Sequence, residues 1–301
     1  MPDVDSLLDR LAASALPDGG WAYHGTSTRE QIEPTCFACL ALAANRERYG
    51  EVLTQGLAAL DRHRRENGAV VHQAGREQAV WPTALVLFTH ATLGSPADTL
   101  RPLASRLLSF AGRIPTDIKS AEFQDIDIHL RGWPWAEGNF SWTEPTAWAC
   151  IALRKAGFGE HPRVSEGLRL LLDRARDDGG INYGNRRILD NFTDPIPTPT
   201  ALMLLALQGH GHQPRVAAAL RYLAQHAANV DACADDEHLA WICLALHAHR
   251  DSPEAQTLAP IIDERLRAAR AERDTIGWLA PSPYRLALTA LALARERHDI
   301  F

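Results

Sequence analysis

Glu144-Pro145-Thr146-Ala147-Trp148-Ala149-Cys150-Ile151-Ala152-Leu153 repeats, with small changes, a stretch near the start of the chain: Glu33-Pro34-Thr35-Cys36-Phe37-Ala38-Cys39-Leu40-Ala41-Leu42. A shorter form is Trp81-Pro82-Thr83-Ala84-Leu85-Val86-Leu87. Self-similarity on this scale marks a repeat architecture. Working outward from these stretches, six copies of one helix-pair pattern run through the 301 residues.

Each copy has two kinds of helix. The first kind is amphipathic: Leu7, Leu8 and Leu11 share a face opposite Ser6 and Asp9. Apolar residues at three- and four-residue spacing give one buried stripe. The second kind, such as Ala38 to Ala44 and Ala201 to Leu207, is apolar nearly all round. A helix apolar on every face is buried on every face. The second helices therefore form an inner ring and the first helices an outer one, an all-α, α6/α6 toroid of one domain over residues 1–301. Outer helices are expected near 8–14, 50–66, 98–112, 163–176, 214–227 and 253–270, and inner helices starting near 34, 82, 145, 199, 237 and 284. Prolines at these starts fit, because the first helical N–H has no partner in any case. Ser95 and Ser252 are placed as N-caps before Pro96 and Pro253. All inner helices run the same way, so their N-termini gather at one mouth, where six partial positive charges meet.

Composition narrows the functional classes. A net charge of −6 argues against a nucleic-acid partner, which needs a basic face. No apolar run reaches the roughly 18–20 residues of a membrane span. The N-terminus Met1-Pro2-Asp3-Val4-Asp5 lacks a secretory signal. Five cysteines, Cys36, Cys39, Cys150, Cys233 and Cys243, then read as reduced thiols in a cytoplasmic protein. No cofactor is expected.

The Pro-Thr-Ala helix start and the Gly-rich segments Asp18-Gly19-Gly20-Trp21 and Asp178-Gly179-Gly180-Ile181 resemble repeats of the terpenoid cyclase and protein prenyltransferase superfamily, in particular squalene–hopene cyclases. The Gln of that repeat falls at Ala15 and Ala175 and is missing. Class II cyclases of the superfamily begin reaction with Asp-x-Asp-Asp before Thr-Ala, the middle Asp protonating an alkene or epoxide. The resemblance puts Glu144 in that middle position without its flanking acids; Glu33 and Glu237 hold similar places in other repeats. Prenyltransferases hold zinc with Asp-x-Cys and a later His. Here the matching places read Asp236-Glu237-His238 and Arg285, and arginine cannot bind zinc. Asp231-Ala232-Cys233 lies before the helix start.

Physical chemistry sets a condition on Glu144. A carboxylate at a helix N-terminus is stabilised by the dipole, which lowers its pKa. A general acid needs the reverse shift, from burial or a neighbouring carboxylate. Glu33, Glu144 and Glu237 are therefore either first-turn carboxylates completing caps or acids with extra neighbours.

The loop over residues 114–143 is the longest and carries Trp133, Trp135, Trp142 and Phe140 together with Asp117, Glu122, Asp125 and Asp127. Its aromatic rings either line an apolar pocket, where they can steady a carbocation, or anchor a lid. Alternation from Asp125 to Leu130 suggests an extended strip with Asp125, Asp127 and His129 on one face, as acid–base groups or as a solvated edge. Arg186 and Arg187 near the mouth suit a diphosphate or pair locally with Asp190 or Asp194.

The expected activity is acid-initiated cyclisation of an isoprenoid or similarly apolar substrate in the bore, class II terpene cyclase-like. Glu144, Asp125 and Asp127 are the catalytic candidates. Phe37, Trp81, Trp133, Trp135, Trp142, Trp148, Trp241, Tyr284, Arg186 and Arg187 are the candidate substrate-binding residues. The alternatives are a non-catalytic toroid that binds without turnover, or a prenyltransferase-like subunit. A protein partner or a second copy would then cover the mouth.

Overall fold

The computed structural model describes residues 3–72, 76–116, 125–188, 191–229, 235–276 and 281–301. Among them are twelve α-helices and one short hairpin. The helices come in six pairs: α1 (Val4–Ala13) with α2 (Ile32–Leu42), α3 (Arg46–Asp61) with α4 (Trp81–Thr92), α5 (Ala97–Ser109) with α6 (Thr143–Lys155), α7 (Pro162–Arg174) with α8 (Pro197–Ala206), α9 (Pro214–Ala228) with α10 (Asp236–Ala248), and α11 (Pro253–Thr275) with α12 (Pro283–Leu293). The hairpin pairs β1 (Arg187–Ile188) antiparallel with β2 (Asn191–Phe192).

The even-numbered helices are buried almost residue for residue, whereas the odd-numbered ones bury one stripe. Packing follows the same division. α2 packs on α4, α4 on α6, α6 on α8, α8 on α10, α10 on α12, and α12 on α2, so the series of contacts closes on itself. Each odd helix lies against at least one even helix beside it, as α3 on α2, α5 on α4 and α7 on α6. The core is one continuous cluster running through all the even helices.

The Pro-Thr signature has a physical reason. Its threonine ties down the loop that precedes the helix. The backbone N–H of Trp21 donates to Thr35 Oγ1 at 2.9 Å, that of Val70 to Thr83 at 3.1 Å, that of Trp133 to Thr146 at 2.9 Å and that of Ile181 to Thr200 at 3.0 Å. All four threonines are buried. Glycine just ahead of the tied residue is required at Gly132, where a Cβ would stand 2.2 Å from Thr146 Oγ1, and at two positions of left-handed backbone. Gly20 has φ +84°, and a Cβ there would stand 2.9 Å from Glu30 Cβ. Gly180 has φ +78°, and its Cβ would meet Pro195 Cβ at 2.6 Å. Both positions combine the left-handed backbone with close approach, which only glycine tolerates.

Two local expectations are corrected. Ser252 caps α11 by accepting from the Ala255 N–H at 3.2 Å, but Ser95 caps nothing. It lies one residue too early, and its hydroxyl bonds His90 Nδ1 at 2.9 Å instead. The 125–130 segment is no extended strip. Asp127 Oδ1 accepts from the His129 N–H at 2.9 Å, and the Leu130 N–H donates to the Asp127 carbonyl at 3.3 Å, which closes a turn.

Candidate functional site

The inner-helix starts place side chains in layers. Residues four apart on a helix share a face. On four even helices the pairs are Glu33 and Phe37, Trp81 and Leu85, Glu144 and Trp148, and Glu237 and Trp241. All but Phe37 line one basin of about 500 Å³, within the usual range of ligand pockets. Tyr284 and Arg285 of α12 and Thr198 of α8 add to its wall. Phe37 lies directly beneath, fully buried, with its ring 5.5 Å from Trp241 and 5.9 Å from both Trp148 and Tyr284.

A second layer comes from the loops. Tyr23, Trp135 and Tyr183 each stand two residues after a threonine-tied residue (Trp21, Trp133 and Ile181), and all three line the basin. His72, two residues after Val70, sets its ring 5.3 Å from that of Trp81, tilted by 53°. Tyr23 and Tyr183 were not among the expected site residues. Aligning the repeats on the tied residue would have revealed that this position is aromatic four times over.

Three glutamates from alternate even helices face this basin. Their environments differ. Tyr23 donates its hydroxyl to Glu33, and Tyr284 donates to Glu237 at 3.0 Å. Arg285 Nη2 also reaches Glu237 at 2.9 Å. Among the described residues, none donates a hydrogen bond to Glu144. All three residues are partly open to the cavity, and Glu33 and Glu144 are set deep below surrounding protein. Burial pushes Glu144 up to about 8, with Glu33 and Glu237 adding repulsion. Burial likewise pushes Glu33 up to about 7, with Tyr23 pulling it down and Glu237 pushing it up. The helix dipole favours the charged forms, and desolvation with like charge outweighs it. Burial and the adjacent glutamates also raise both Tyr23 and Tyr284, so these phenols remain donors.

One flank of the basin is held by a charge cluster. Arg285 pairs with Asp235 at 3.0 Å, with Glu237 and with Asp236, and Arg270 lies 3.4 Å from Asp236. Asp236 is 2% exposed, so its charge is compensated by two guanidinium groups. Asp235 also caps α10, accepting from the Glu237 N–H at 2.8 Å. These contacts occupy the carboxylate that a zinc reading would have used. Among the described residues, no cluster of three His, Cys, Asp or Glu side chains suits a metal. Asp117, Glu122, Asp190 and Asp231-Ala232-Cys233 lie outside the described residues.

Several expected site residues are elsewhere. Asp125 pairs with Arg187 at 2.6 Å, and its carbonyl accepts from Arg186 at 2.6 Å. Arg187 also covers the Phe192 ring at 4.3 Å. Asp127 caps its own turn beside α7, where its N–H donates to Asp173 at 3.0 Å. None of these four lines the basin. Trp133 is fully buried, and its indole N–H donates to the Leu107 carbonyl at 2.8 Å, so it wedges a helix pair. Trp142 precedes α6 and stacks on Phe140 at 5.0 Å, away from the wall. A larger groove of about 640 Å³ runs between α1, α11 and the start of α12, but it is flanked by Arg10, Arg270 and Arg273 and has no comparable meeting of acids and aromatic rings.

Chemically, the basin offers an uncapped carboxyl that keeps its proton at neutral pH, two Tyr–Glu pairs, and a wall of indole and phenol rings. No family model and no curated protein matches this sequence. Solved structures do. A protein from Actinoplanes is 18% identical, with 98% of this chain and 99% of that one covered and a TM-score of 0.61. The type II terpene cyclase MstE from Scytonema, without ligand, is 15% identical over 98% of this chain and 99% of its own, with a TM-score of 0.62. At such identities the likeness concerns the backbone, and the chain has a terpene cyclase-like, all-helical fold.

Proposed function

We propose that the closed circuit of even helices is the inner ring of an α6/α6 toroid, and that the chain is a class II terpene cyclase-like enzyme acting in its bore. The substrate class is an isoprenoid or a similarly apolar polyene. Glu144 is the acid. Its proton passes to an alkene carbon, whose π pair forms the new C–H bond, or to an epoxide oxygen, whose lone pair takes the proton before the C–O bond breaks with its pair going to oxygen. In either case a carbocation is left on carbon. Ring closures move that cation along the chain, and loss of a proton from carbon ends the sequence. Indole faces of Trp81, Trp148 and Trp241 stabilise the cation through their quadrupoles. Glu237 is held in place by Tyr284 and Arg285.

The observation that carries this reading is the state of Glu144. It is the one of the three glutamates on which no described donor acts, and burial with two neighbouring carboxylates keeps it protonated. The reading meets the requirement for an acid that the helix start alone contradicts.

The test is incubation of purified protein with squalene, 2,3-oxidosqualene and C10–C20 prenyl diphosphates, with product analysis by gas chromatography–mass spectrometry. A cyclised product lost in Glu144→Gln supports the assignment. Binding of the same compounds without product, in a protein whose Glu144→Gln variant binds equally, would instead support a toroid that binds without turnover. A cytoplasmic setting accompanies the proposal; the four described cysteines are buried free thiols, and among the described residues no helix is long and apolar enough to cross a membrane.

A further inference from the structure

A third layer lies below the basin. Seven residues beyond the first layer, two helical turns or about 10 Å down, stand Leu40, Phe88, Ile151, Leu205 and Leu244. Phe88, Ile151 and Leu205 line a separate groove of about 260 Å³ at the opposite end of the even helices. Two rings stand between this groove and the basin. Trp148 faces the basin, and its ring is 5.8 Å from Phe88. Phe88 stacks on Phe301 at 5.1 Å with 27° between planes, and both face the groove.

Residues 298–301 cross this lower end and are tied on both sides. His298 Nε2 bonds the Leu40 carbonyl of α2 at 2.8 Å. Lys155 of α6 donates to the Asp299 carbonyl at 3.1 Å and to its carboxylate at 3.0 Å. Ile300 is buried, whereas Phe301 is half-buried, with the groove on one side and a small void of about 60 Å³ on the other. Phe301 is therefore held mainly by its stack on Phe88 and by the anchors of residues 298–300.

We propose that Phe88, supported from below by Phe301, backs Trp148 at the floor of the bore and so sets the length of the chain that the basin accepts. The proposal rests on the reading that the basin takes an apolar ligand. Trp148 is the upper face of this septum and Phe301 its lower face. Removing the Phe88 ring leaves Trp148 without support, free to tilt down and open the basin to the groove. Removing the Phe301 ring frees Phe88 to swing into the vacated space.

The experiment measures binding of straight-chain 1-alkanols from butanol to dodecanol by tryptophan fluorescence and calorimetry. These probes carry no double bond, so they report on the bore independently of cyclisation. In the parent protein, affinity should rise about fourfold per methylene and then stop rising at one chain length. In Phe88→Ala the rise should continue past that length, making the longest alkanol more than tenfold tighter relative to the parent. Phe301→Ala, on a half-buried side chain that is safer to change, should move the break in the same direction by a smaller amount. A parent protein with no break up to dodecanol, the same break in both variants, or no alkanol bound by any of the three proteins would each overturn the proposal. Cyclisation can fail while the break and its movement persist, so the two proposals fail separately.

Discussion

Tyr284 donates its phenolic hydrogen to Glu237 at 3.0 Å, and the two residues come from different helices, α12 and α10. Tyr23, from the loop before α2, donates in the same way to Glu33. Each pair holds a carboxylate in the basin by a donor that is itself hard to ionise. Glu144, on α6 between them in the ring order, has no such donor among the described residues. Three glutamates at similar repeat positions therefore have unequal chemistry, and the inequality is testable.

Glu144→Gln should lower turnover by about 10²–10⁴-fold, the usual contribution of a positioned acid, with ligand affinity nearly unchanged. Glu33→Gln should have a smaller effect. In the parent enzyme, kcat should fall as pH rises through about 8, where Glu144 loses its proton. A flat profile between pH 6 and 9.5 would remove Glu144 from the acid role.

Stability carries the same signature. Glu144 holds its proton more tightly in the folded chain than in the unfolded one, where it titrates near 4.5. Stability from this group is complete below the unfolded value and declines as pH climbs through about 8. Glu144→Gln removes that decline. Its melting temperature should exceed the parent's by about 5 °C at pH 9 and match it at pH 5. Thermal melts at both pH values check the sign.

Arg285→Gln should destabilise the chain by about 3–5 kcal/mol, because it removes one of two cations facing the buried Asp236. Arg285→Lys should recover only part of the loss, since lysine cannot span Asp235 and Glu237 with a planar fork. Urea melts of the three proteins give the comparison.

Thr146→Val leaves the buried Trp133 N–H without its acceptor, at a cost of about 1–3 kcal/mol. Thr146→Ser keeps the hydroxyl and should cost less. Amide hydrogen exchange at Trp133 should speed up in the valine variant alone.

Asp125→Asn should change stability by less than about 1 kcal/mol, the usual range for a partly exposed ion pair, and should leave basin ligand binding intact. A large loss of binding or turnover would mean that the 125–127 turn reaches the ligand after all.

The helix pairs and their division into buried and amphipathic sets were legible because they depend on spacing within each ten-residue stretch. Pro34, Pro145 and Pro199 start helices, and Ala-Leu runs fill them. Glu144, Trp81, Trp148, Trp241 and Tyr284 were legible as basin residues for the same reason, since a helix start fixes which side chains face inward. Loop residues were not. Trp133 and Trp135 are two apart in one aromatic stretch, yet one wedges a helix pair and the other lines the basin. Asp125 and Asp127 alternate like a strand, but local hydrogen bonds fold them into a turn beside Arg187 and α7.

Sequence alone determined the repeating unit, the order of its helices and the end at which acids and rings collect, because these follow from short-range periodicity and the geometry of helix starts. Tertiary structure decided which of those acids burial raises most and which rings meet beneath the basin. Both depend on groups far apart in the chain, such as Glu33, Glu144 and Glu237, or Phe88 and Phe301, meeting only when the circuit of helices closes. Desolvation, like-charge repulsion and ring stacking then act on positions that no local spacing relates.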